Sequence, residues 1–128
     1  MFVACRLLIA ADGDVSRFVV AGNVFVDADT VEPEIHVFDT AGYDGQFYFR
    51  QSVAPLSMTM DPVGGVQLDQ ELRISRIGYP LVASVASFGQ DSLVPWALVG
   101  VNMVGLALIA GLGAQIALRR GLSPWNGL

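Results

Sequence analysis

Leu93 to Leu118 reads LVPWALVGVNMVGLALIAGLGAQIAL and carries no charged side chain. A hydrocarbon core about 30 Å thick needs about 20 helical residues at about 1.5 Å each, so this run is long enough to cross a bilayer. Pro95 falls in the first turn, where its missing N–H breaks no hydrogen bond. Trp96 stands near one end, as an interfacial anchor does. Gly105, Gly111 and Gly113 would weaken a helix in water but are common in membrane helices. Small residues recur four apart (Ala107 and Gly111, Ala110 and Ala114, Gly113 and Ala117), a spacing that admits a second helix at close range. Asn102 and Gln115 carry side chains that can hydrogen-bond between helices. A buried helix of a soluble protein is the alternative. It would need more surrounding polypeptide than a chain of 128 residues supplies.

The flanks set an orientation. Arg119 and Arg120 close the run, and positive charge near a span marks the cytoplasmic side. Residues 93–118 then descend from outside to inside, residues 119–128 form a cytoplasmic loop, and residues 12–92 lie outside the cytoplasmic membrane. All 12 acidic residues fall between Asp12 and Asp91, and residues 1–92 hold five of the seven arginines. Overall 53% of the chain is hydrophobic and only 15% charged, against roughly 25% charged in soluble domains. That composition excludes disorder. A net charge of −5 without a lysine speaks against nucleic acid as a partner. The lone Cys5 permits no internal disulfide, and the lone His36 leaves little scope for a histidine metal site. Asp12-Gly13-Asp14 opens like a calcium loop but fails it: Arg17 stands where the loop needs Gly, and Asn23 where it needs a bidentate Glu. No metal or cofactor is expected.

Residues 1–11 (MFVACRLLIAA) are apolar, too short to span, and interrupted by Arg6. They read either as a peripheral apolar segment or as the remnant of a first membrane helix that includes Met1. The Ser-Pro-Trp of the C-terminal stretch has the flavour of a helix start. Between the ends, residues 16–27 suggest an amphipathic segment or a short strand pair around Ala21-Gly22-Asn23. Residues 27–39 read as an acidic loop, and MDPVGG at 60–65 as a turn. A helix is expected to start near Asp44, with that carboxylate as its cap. Residues 81–88, uncharged and too short to cross, suit a helix lying on the membrane or re-entering it. The fold class is therefore mainly α and integral to a membrane: an acidic outer region with short helices, then one transmembrane helix.

Two clusters carry chemistry. Gly42-Tyr43-Asp44-Gly45-Gln46-Phe47-Tyr48 combines one carboxylate with aromatics and an amide. Aromatic faces and hydrogen-bonding side chains suit a sugar, and a lone carboxylate can act as a general base. An N-capped helix with aromatics packed on the membrane is the structural alternative. Arg73 and Arg76, three apart, share a helix face and can clamp a phosphate. Alternatively they neutralise Asp69 and Glu71 or touch lipid head groups. His36, between Ile35 and Val37, reads as structural.

The order of motifs adds a resemblance. Gly42-Tyr-Asp-Gly-Gln-Phe-Tyr48, Asp61-Pro62, Leu68-Asp69, Arg76-Ile-Gly-Tyr79-Pro80-Leu81 and Val94-Pro-Trp-Ala-Leu98 with Asn102 follow one another. The series resembles the N-terminal portion of bacterial multi-pass membrane glycosyltransferases of the GT-C type, similar to the PIG-V and dolichyl-phosphate-mannose mannosyltransferase group. It covers roughly residues 16–128. The resemblance implies that Asp44 is the catalytic base toward an acceptor hydroxyl and that Tyr43, Gln46 and Tyr48 line the sugar site. Arg73 and Arg76 would then face the phosphate of a polyprenyl-phosphate sugar donor. Such enzymes have many more membrane helices than one. The resemblance therefore implies a fragment or truncated copy, inactive alone, with membrane lipid and other transmembrane helices as partners. A different class remains open: a non-enzymatic single-span protein whose outer segment binds a partner.

Overall fold

The computed structural model describes residues 2–31 and 33–127, the side chains of Phe2, Asn126 and Gly127 excepted. Met1, on which the idea of a first membrane helix turns, lies outside them. Helix of one kind or another accounts for 54% of the chain. The chain divides into two units, one ending at Leu98 and one beginning at Val99.

The first unit opens with α1 (Phe2–Cys5), which runs into a π turn at Arg6–Ala10. A 3-10 turn follows at Val15–Phe18, capped by Asp14, whose carboxylate accepts the Ser16 N–H at 2.9 Å. β1 (Ala21–Gly22) pairs in parallel with β2 (Val37–Phe38). The strand expected at Ala21-Gly22 is present, but its partner lies across the acidic loop rather than beside it. A parallel pair needs a long crossover, which a local turn around Asn23 does not provide. Val66 forms antiparallel bridges to Val26 and, across the turn at 63–66, to Val63.

α2 (Gly45–Val53) starts where the sequence places it and stops at Ala54, because the residue before Pro55 is pushed out of helical geometry. α3 (Gly78–Ala86) takes Pro80 in its first turn and packs against α2. The hydrophobic core of this unit gathers Val19, Ala21, Val26, Ile35, Phe47, Phe49, Val66, Leu68 and Ala83, together with Val94, Ala97 and Leu98.

The second unit is the remainder of α4 (Val94–Arg119), which stays helical through Gly100, Gly105, Gly111 and Gly113. It ends in a tight reversal at Gly121, whose positive φ lets Leu122 N–H reach the Ala117 carbonyl at 2.9 Å and Gly121 N–H the Leu118 carbonyl at 3.0 Å. A last 3-10 turn spans Pro124–Gly127. α4 is long and apolar enough to cross a membrane, and only 17% of its most apolar window is buried in the protein.

Candidate functional site

Asp44 sits at the entrance of α2 but does not cap it; its side chain makes no hydrogen bond to the helix N–H groups. This corrects the capping expectation, and the reason is electrostatic. Arg73 donates from Nη1 to Oδ1 at 2.6 Å, and Arg76 donates from Nη1 to Oδ2 at 3.3 Å. Two guanidinium groups outcompete neutral backbone N–H donors for one carboxylate.

The two arginines are held differently. Arg73 lies in the 3-10 turn Glu71–Ser75. It grips Asp69 with two donors, Nε to Oδ1 and Nη2 to Oδ2 (3.1 Å for the second), and its guanidinium stacks 4.0 Å above the Phe47 ring. The Gln51 amide donates to the Arg73 carbonyl. Arg76 makes one long bond to Asp44 and is otherwise more than half exposed. The Arg73 hydrogen bond holds the Asp69 carboxyl below the usual carboxylate range, with burial opposing; Asp69 in turn raises the pKa of Arg73. The cluster is thus a charge-balanced set of two carboxylates and two guanidiniums, one of them fixed and one loosely tethered.

Beside it opens a cleft of about 570 Å³ whose wall includes Phe25, Tyr43, Asp44, Phe47, Asp69 and Arg73. Tyr43 stands well exposed at the rim. Phe25 and Phe47 meet edge to face at 5.5 Å.

Of the residues singled out from sequence, Asp44, Tyr43 and Arg73 converge on this cleft, and Arg76 reaches it through Asp44. Gln46 borders it but is buried and works as a bracket. Its Oε1 accepts the Gly22 N–H and its Nε2 donates to the Ala41 carbonyl, both at 2.9 Å. Tyr48 is elsewhere: half-buried and edge-on to Tyr79 at 5.2 Å, it belongs to the packing of α2 on α3. His36 packs edge-on to Phe38 at 4.4 Å.

Sequence reasoning missed Asp69 and Phe47 as walls of the cleft, and it missed Arg50, the buried arginine of α2. Arg50 is fully buried and donates from Nε to the Val66 carbonyl at 3.1 Å. Its Nη2 donates to the Thr59 carbonyl at 2.7 Å and the Asp61 carbonyl at 2.9 Å. Among the described residues its Nη1 has no partner. Burial lowers its pKa, and the nearby Asp61 charge opposes that. A signal existed: no acid stands three or four residues to either side of Arg50, so a buried arginine there has to find backbone carbonyls. For Asp69, the signal was Arg73 four residues on.

Among the described residues no group of three or more His, Cys, Asp or Glu side chains converges on a metal-sized site. No family model, curated protein or solved structure matches this chain.

Proposed function

We propose that this chain supplies the outer loop and adjoining span of a GT-C type membrane glycosyltransferase that uses a polyprenyl-phosphate-linked sugar. Other transmembrane helices complete the fold, and the chain alone is inactive. In this reading α4 is integral to the cytoplasmic membrane, and residues 12–92 face outward, the side opposite Arg119 and Arg120.

The observation that supports it is the Asp44 cluster: a carboxylate at the mouth of an aromatic-walled cleft, tied to two arginines of unequal grip. A phosphate is a strong rival to a carboxylate for a guanidinium. A donor phosphate drawing Arg76 away would free one oxygen of Asp44 to accept the proton of an acceptor hydroxyl, as that hydroxyl attacks the sugar carbon and the lipid phosphate leaves. Tyr43, exposed at the rim, offers a face and a hydroxyl to the sugar.

The test is Asp44→Asn in the source membranes, with transfer from a labelled polyprenyl-phosphate sugar as the readout. Removing a general base lowers turnover by about a hundredfold or more. Unaltered transfer overturns the assignment.

One observation favours the non-enzymatic reading: both oxygens of Asp44 are already engaged, so the cluster is equally a clasp joining α2 to the turn at Glu71–Ser75. That reading expects a protease-resistant outer segment in the isolated chain and sugar transfer indifferent to Asp44.

A further inference from the structure

Between Arg76 and Arg119 the sequence has a single charged residue, Asp91. α3 therefore belongs to the same uncharged stretch as α4, with one acid in the turn between them. On α3 the faces are inverted for a protein in water. The residues turned inward are Pro80, Ala83 and Ser87, while Leu81, Val82, Val85 and Phe88 are exposed, Val85 at 71% and Phe88 at 85%. A helix exposed to water places its large apolar residues on the core side.

The end of α3 carries a second oddity. It closes with the same reversal as α4: Gly89 N–H points to the Ser84 carbonyl at 3.4 Å and Phe88 N–H to the Val85 carbonyl at 3.0 Å. The left-handed position of that motif is Gly121 in α4 but Phe88 in α3, at φ 55°. Glycine is the residue that fits there without strain, and here a bulky aromatic occupies it with its ring outside the protein.

We infer that α3 lies in the membrane interface with Leu81, Val82, Val85 and Phe88 in lipid, and that Phe88 is a hydrophobic anchor held outward by its strained backbone. The occupant is lipid because α3 is joined, through one short turn and a hydrogen bond, to the start of the apolar α4. The Tyr79 hydroxyl donates to the Leu98 carbonyl at 2.7 Å, tying the first turn of α3 to the first turns of α4. Leu93, just before α4, is also exposed. An apolar face of this kind is buried about 5–10 Å into the boundary between head groups and acyl chains. This inference needs α4 in the bilayer but not the sugar-transfer chemistry.

The test uses the full chain with Cys5→Ser, reconstituted in phosphatidylcholine–phosphatidylglycerol vesicles. A nitroxide is placed in turn at Val82→Cys, Val85→Cys and Phe88→Cys, with Ile109→Cys as the lipid reference and Ala28→Cys as the water reference. Collision with oxygen is compared with collision with a water-soluble nickel chelate. The expected result is nickel access at positions 82, 85 and 88 several-fold below that at 28, with oxygen access approaching that at 109. Nickel access equal to position 28, while 109 stays protected, overturns the inference. Spin–spin broadening at position 85 that vanishes on dilution with unlabelled chain also overturns it, by assigning the face to a second copy.

Discussion

Arg50 in α2 is wholly buried, whereas Ile109 in α4 is 70% exposed. Within one chain the most hydrophilic side chain is enclosed and one of the most apolar is left outside. Apart from α3, the unit ending at Leu98 follows the rules of a protein in water: a small apolar core, with enclosed polar groups such as Gln46 and Arg50 bonded to backbone. The unit beginning at Val99 has almost no inside, and its Leu, Ile, Val and Met side chains face outward along the helix. In the reading proposed above two solvents shape this polypeptide, and the difference teaches that exposure is informative only once the solvent is known.

The comparison breaks most sharply at the middle of α4. Leu106→Asp in a water-facing helix would change stability by about half a kcal/mol at most. At the centre of a membrane span it costs about 3–4 kcal/mol of insertion free energy. Alkaline carbonate extraction of the variant checks this: it is expected to release protein that the parent chain retains, and full retention would place α4 in water or in protein.

A somewhat smaller effect is expected in the first unit. Arg50→Met removes the donors that hold the Val66, Thr59 and Asp61 carbonyls and should destabilise that unit by about 3 kcal/mol. Thermal unfolding in mild detergent, followed by near-ultraviolet circular dichroism, measures it. The helical signal of α4 should persist through the transition, which separates the two units energetically.

The smallest effect concerns acid. Because the Asp69 carboxyl is held below its ordinary range in the folded protein, its contribution is complete above about pH 4 and is lost as pH falls through the lower folded value. Asp69→Asn should therefore flatten the decline of stability below about pH 4 and lower stability at neutral pH by less than about 1 kcal/mol, since the pair faces solvent. Unfolding midpoints from pH 3 to 7, compared between the two proteins, give the answer.

What could be read from the residues follows the same division. α4 was legible because an uncharged run of that length has few structural solutions. The start of α2 was legible near Asp44, while its end before Pro55 emerges only from the structure. The partners of Asp44 were not, because they lie 29 and 32 residues away and no local pattern encodes such pairing. Likewise the parallel pairing of Ala21-Gly22 with Val37-Phe38 crosses a loop without periodicity. Gln46 and Tyr48 looked equivalent to Tyr43 in the motif, yet one braces the backbone and the other packs against α3. Helical rotation sends neighbours to different faces, and only the packing of α2 decides which face meets the cleft.

The glycine that follows Asp44 sets the conditions under which the acid stands where it does. A side chain at Gly45 would overlap the carbonyl oxygen of Val19, and one at Gly22 would overlap the backbone of residues 40–42. Two stretches of main chain are thus in contact only because nothing projects between them. Shape and reactivity are therefore inherited separately at this spot. Replacing the carboxylate would cost its two arginine contacts, while the bare backbone beside it would remain under constraint from Val19. In any kindred sequence, glycine at 45 would testify to the architecture alone, whereas the acid next to it serves the clasp as well as any chemistry.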